Sequence, residues 1–268
     1  MMADDDKPHK DEPMIRDDLQ APPSGAPKGP ITDTMQKPLV KRFYKTASVS
    51  DAAPYHVLLD GRAVKTPAKR PLALPTEAAA RAIADEWNAQ DATINPATMP
   101  LTRFANTAID AVSETADAVA ADIVASAGRD LLCYRADTPA ELSHAQAAKW
   151  DPVLHWAAKT CDARFIVVAG IMPVDQPENA LDAIASALKP HDAFRLTALH
   201  VMTTLTGSAL LALAHANGAI AADDAWAAAH VDEDYQTALW GFDEEAASRR
   251  AARGQEFAAA SRFLTLIG

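Results

Sequence analysis

Between Lys41 and Pro75 the apolar residues come in short runs, and from Thr76 almost to the C-terminus they recur every three to four positions. This change of period constrains the fold more than any other feature, because a period near two buries one face of a strand and a period near 3.6 buries one stripe of a helix. In "KRFYKTASVSDAAPYHVLLDGRAVKTPAKRPLALP", Phe43/Tyr44, Val49, Tyr55, Val57, Leu59, Val64, Leu72 and Leu74 form β-prone runs. Asp60-Gly61, a type I′ hairpin signal, and Pro67 and Pro71 interrupt them. A small antiparallel sheet is expected.

Thr76 as N-cap and Glu77 in the first turn predict a helix to about Gln90, followed by a loop through Asn95-Pro96 and Pro100 and a second helical region over about 101–127. "TPAE", Thr138 to Glu141, reads as a capping box with Pro139 at the first helical position, opening a helix toward Lys159. "ARFIVVAG" predicts a lone strand over 164–169 that returns to the N-terminal sheet. Helices are then expected at about 177–188, 192–216 and 222–265, with Asn217-Gly218 closing the middle one. The fold class is α+β: a small β-rich N-terminal domain over 39–127, then an all-α helical C-terminal domain over 128–268. Residues 1–38, rich in Pro, Asp, Lys and Gly, read as a disordered tail.

Composition narrows the function. A chain of 268 residues with 49% hydrophobic content can build a core, and its net charge of -11 argues against nucleic acid or an anionic membrane as partner. A neutral or basic protein fits better. Cys133 and Cys161 show no C-x-x-C spacing, so neither zinc nor a disulfide framework is indicated. No G-x-G-x-x-G or G-x-x-x-x-G-K-[ST] motif occurs, so nucleotide binding is not expected, nor is any cofactor. "TGSAL" around Ser208 is no nucleophile elbow, and its small residues suit close helix packing. Arg62, Lys65, Lys69 and Arg70 read as a solvated edge that discourages strand pairing. The uncharged stretch 196–222 is long enough for a membrane span but carries Thr, Ser, His and Asn throughout, so a buried helix is expected instead. The acidic N-terminus lacks an apolar run, which points to the cytoplasm.

The segment "VDEDYQTALWGFDEEAASRR", 231–250, holds six carboxylates around a Trp-Gly pair. On one continuous helix, Val231, Tyr235, Ala238 and Phe242 share the core-facing side, while Trp226, His230, Glu233, Thr237, Trp240 and Glu244 line the other. Glu233 and Glu244 would then stand about 16 Å apart at about 1.5 Å per residue, too far for a working acid/base pair at roughly 5–9.5 Å. His230 and Glu233 could offer two metal ligands, but the paired Glu-x-x-His motifs of a bundle di-metal site are missing. Two tryptophans between charges suit a protein interface, or packing of the stripe against the β-rich unit of the same chain; spacing leaves both open.

The stretches "KRFYK", "LDGRAVKTPAKRPLALP", "IADEWNAQ", "MPLTRFANTAID", "DLLCYRA", "WDPVLHWA", "TTLTGSALLALA" and "DEDYQTALWGFDEEAASRR" resemble, in order, the alpha-subunit assembly chaperones of the F1 sector of ATP synthase, found in mitochondria and alpha-proteobacteria. The resemblance spans about 41–266. It implies a non-enzymatic chaperone that binds unassembled alpha subunit, shields its beta-facing surface and leaves as the alpha/beta ring forms. It also implies a key carboxylate in the W-G-x-x-E segment, here Glu244, and so favours the partner-binding reading of the stripe. "EAASRR" departs from the Trp and His-Asp continuation of mitochondrial members, and without a transit peptide a bacterial cytoplasmic member is expected. The alternative is a metal-dependent hydrolase using His230, Asp232, Glu233 and Asp234.

Overall fold

The computed structural model describes residues 39–268; the expectation for 1–38 lies outside the described residues. The N-terminal strands are short: β1 (Val40–Lys41), β2 (Ala47–Val49), β3 (Tyr55–Leu59), β4 (Arg62–Ala63) and β5 (Ala73–Leu74). β3 is central, antiparallel to β2, β4 and β5. The β3–β4 turn is Asp60-Gly61 with φ of 47° and 80°. Both values are positive, as a type I′ turn requires, and Leu59 pairs with Arg62 across it.

Thr76 caps α1 (Glu77–Asn88): its backbone is extended and its hydroxyl accepts from the Ala79 amide at 3.2 Å. The small side chains of Ala79 and Ala80 bring this helix close to the sheet, where Ile83, Val57, Leu72 and Leu74 are buried. Each fully buried Leu or Ile contributes about 1.5–3 kcal/mol. Beyond α1, β6 (Thr93–Ile94) pairs with β1. α2 (Pro100–Thr107) has no cap of its own, so the Glu86 carboxylate reaches over from α1 and accepts from the amides of Leu101 and Thr102, both at 2.8 Å.

The helix expected over 101–127 is interrupted. α2 runs into a wide π turn over Ala108–Val112 before α3 (Ser113–Ala127). The 66–70 loop holds that turn: Asp110 accepts from the Thr66 hydroxyl at 2.5 Å and the Ala68 amide at 2.9 Å, and Arg70 donates to the Ile109 carbonyl at 2.8 Å. Arg70 is therefore committed within the chain rather than free at a solvated edge.

β7 (Tyr134–Arg135) precedes α4 (Ala140–Thr160), and the capping box expected there does not form. Pro139 itself holds the extended cap position, which leaves Thr138 one residue too early to reach the first turn. The expected strand shrinks to β8 (Val168–Ala169). It does not return to the N-terminal sheet but pairs in parallel with β7, whose Arg135 carbonyl also accepts from the Gly170 amide at 2.8 Å.

α5 (Glu178–Leu188) and α6 (Ala193–Thr206) follow, and the helix expected over 192–216 breaks at Gly207, whose φ is 68°. Ser208 sits at that break as the cap of α7 (Ala209–Ala216), accepting from the Leu211 amide at 3.0 Å. This is a capping role, not helix-on-helix packing. Gly218, with φ 72°, ends the stretch after Asn217 as expected.

The last region is three helices rather than one: α8 (Ala222–Ala229), α9 (Val231–Trp240) and α10 (Glu244–Ile267). α10 packs on α6 and α2, and one core cluster extends from Val57 and Leu72 through Trp150 to Phe263. No helix among the described residues is long and apolar enough to cross a membrane.

Candidate functional site

Two backbone breaks shape the acidic segment. The first is at His230, with φ -121° and ψ 22°, between α8 and α9. Its ring is buried, and Nδ1–H donates to the Trp226 carbonyl at 2.7 Å. Burial pushes the imidazole below its usual range, toward the neutral form, so the 3.8 Å approach of Nε2 to Glu233 is not a full ion pair. Trp226 lies against the His230 ring at 4.0 Å and the Phe257 ring at 5.3 Å between centroids. Its indole packs over Gly254 of α10, 3.4 Å from where a Cβ would stand, which is ordinary van der Waals contact.

The second break is Gly241. Its φ of 95° with ψ of 178° belongs to a region that L side chains rarely occupy, and it ends α9. Asp243 then starts α10 by accepting from the Glu245 and Ala246 amides at 2.9 and 3.1 Å, with Glu244 and Glu245 in the first turn, where carboxylates favour the helix dipole.

The stripe expected on one helix is accordingly redistributed. Trp226 is half-buried and His230 buried, both inside the chain, because the His230 break turns α8 away from α9. Glu233, Thr237 and Trp240 remain together on α9 and are exposed, while Glu244 is exposed at the start of α10, on a different helix. The straight-helix separation of Glu233 and Glu244 therefore does not apply. Of the side assigned to the core, only Val231 is buried; Tyr235 is half-buried and Ala238 is exposed. Phe242 is 75% exposed because it follows the glycine turn.

A groove of about 490 Å³ runs between α9 and α10. Glu233, Thr237 and Trp240 line it from one side and Arg249, Arg250 and Arg253 from the other, with Ala246 and Ala247 leaving room between. Arg250 pairs with Asp234, Arg249 with Glu245, and Arg253 donates to the Leu205 carbonyl at 2.6 Å. At its end Leu239, Trp240 and Phe242 form an apolar lip, 59%, 85% and 75% exposed. Spacing alone did not find Leu239, Phe242 and the arginine wall; the readable signal was "GFDEE", a glycine followed by an N-cap Asp and first-turn acids.

Three of the four side chains of the hydrolase alternative are committed elsewhere, and Glu233 only approaches the buried His230 ring at 3.8 Å. His230 donates to Trp226, Asp232 accepts from Gln146 at 2.7 Å, and Asp234 holds Arg250. Among the described residues no three His, Cys, Asp or Glu side chains converge as a metal site would require.

Comparison with known proteins adds a family. The model of the ATP12 chaperone protein family matches residues 41–158. Among solved structures, Atp12 from Paracoccus denitrificans is 43% identical with a TM-score of 0.81, the match covering 85% of this chain and 99% of that one. An aspartate-to-lysine variant of that protein matches at the same identity and TM-score, over 98% of its length. A chaperone candidate from Agrobacterium tumefaciens is 46% identical with a TM-score of 0.83, over 91% of this chain and 92% of that one.

Proposed function

The chain belongs to the ATP12 chaperone family, and from that membership we propose that it assists assembly of the F1 sector of ATP synthase by binding unassembled alpha subunit. In this reading the lip of Leu239, Trp240 and Phe242, with Glu233, Thr237 and Glu244 around it, covers the beta-facing surface of the alpha subunit until the alpha/beta ring forms. Trp226 and His230 buttress that edge from behind. The observation that carries the reading is the lip itself. Three large apolar side chains lie more than half exposed around a glycine turn, where an isolated chain loses the benefit of burying them. Aromatic anchors ringed by charge are how protein interfaces combine affinity with rejection of wrong partners. The action proposed is stoichiometric and cytoplasmic, with neither turnover nor nucleotide. Light scattering of isolated alpha subunit during refolding tests it: the protein should suppress aggregation equally with and without ATP. Strict ATP dependence would count against it.

A further inference from the structure

A second cleft, of about 530 Å³, opens on the N-terminal sheet, and the α9–α10 groove shares none of its residues. Tyr44, Leu59 and Val64 give it an apolar floor and Trp87 of α1 closes one side, with Phe43 standing 70% exposed at its mouth. Phe43 meets Tyr44 edge-on at 5.5 Å, which holds its ring in place although it is bare.

The charge around this cleft is opposite in sign to that of the whole chain. Arg62 and Lys65 line it, Lys45 follows the lining residue Tyr44 and donates its amide to Asp60 of the wall, and the Arg42 guanidinium lies 4.7 Å from the Tyr44 ring centroid. Among the described residues, none of these four cations lies in an ion pair with a carboxylate, and Arg42 donates only to carbonyls. Asp60 is the acid in the wall, and its carboxylate is already occupied by the amides of Lys45 and Thr46 and the Thr46 hydroxyl, at 3.0–3.3 Å. On a chain of net charge -11, four cations around an aromatic cleft, of which only Lys45 acts on a nearby carboxylate, that of Asp60, favour an anionic ligand that also carries an apolar group.

We propose that the Phe43–Trp87 cleft is a second protein-docking site, which takes an acidic segment of a partner polypeptide with one aromatic or aliphatic side chain seated on Tyr44, Leu59 and Val64. A polypeptide supplies both features within a few residues, whereas a free phosphate has no apolar group for the floor.

The test is fluorescence anisotropy with labelled synthetic peptides rich in Asp and Glu around a single Phe or Leu, on the full chain. Saturable binding is expected, weakened about tenfold or more in the Arg62→Glu, Lys65→Glu double variant and in Phe43→Ser, and unchanged in Trp240→Ala. All four substituted positions are exposed, and thermal melts confirm that each of the three variants is folded. The proposal is overturned if no peptide binds saturably, if Lys-rich peptides bind as well, or if acidic peptides without the apolar residue bind equally. It is also overturned if ATP displaces the peptide as effectively as unlabelled peptide does, or if the cleft proves to mediate self-association that Phe43→Ser abolishes.

Discussion

Asp130 is completely enclosed, and its carboxylate serves two chain segments at once, accepting from the Leu132 amide at 3.1 Å and the Leu210 amide at 3.0 Å. It thereby ties the turn after α3 to the start of α7. Burial pushes its carboxyl up to about 6, against the pull of those donors. An acid whose folded value lies above its unfolded value of about 3.9 gives stability that is complete below about pH 4 and is lost as the pH rises through the folded value. The difference is worth about 3 kcal/mol. Asp130→Asn cannot titrate, so the stability gap between parent and variant should shift by roughly that amount against the parent from pH 4 to pH 7, as read by urea melts. A gap that is flat, or that moves in the parent's favour as the pH rises, contradicts this account. Nothing in the sequence singled out Asp130, because an acid before "LLCY" looks the same buried or exposed; its burial comes from α7 folding over it.

At the scale of elements, the sequence was legible where a residue's own backbone preference decides the outcome. Asp60-Gly61 turns as expected, Thr76 caps α1 and Gly218 ends its helix stretch, each set by φ or a local hydrogen bond. It was illegible where a distant segment decides. The π turn at 108–112 depends on the 66–70 loop, and β8 pairs with β7 because α4 returns the chain there. Gly207 and Gly241 fell within helical periodicity, and only their positive φ shows that each ends a helix. The edge proposed to bind was therefore half readable: Trp240 and Glu244 stood out by type, while their separation onto two helices did not. Gly241→Ala should cost about 1–3 kcal/mol of strain even though the space around it is open. Chemical melts measure this, and an unchanged free energy would show that the turn does not need glycine.

For the molecule as a whole, α10 binds the two ends of the described chain together. The Thr76 hydroxyl donates to the Leu266 carbonyl at 2.5 Å, Arg103 pairs with Glu256 at 2.6 Å, and Phe263 packs between Phe104 and Phe194. A core shared in this way predicts one cooperative transition, with tryptophan fluorescence and far-UV circular dichroism coinciding in a denaturant melt; two separated midpoints would mean independent domains. That shared core carries the edge on which the proposed function rests. The most direct test of the function is Glu244→Lys, assayed for capture of alpha subunit beside a denaturant melt. Glu244 is exposed, so the melt should move by no more than about 0.5 kcal/mol. Reversing its charge against a partner should weaken capture on the order of a thousandfold. A variant that melts like the parent and still captures alpha subunit as well would contradict the assignment of this edge as the chaperone surface.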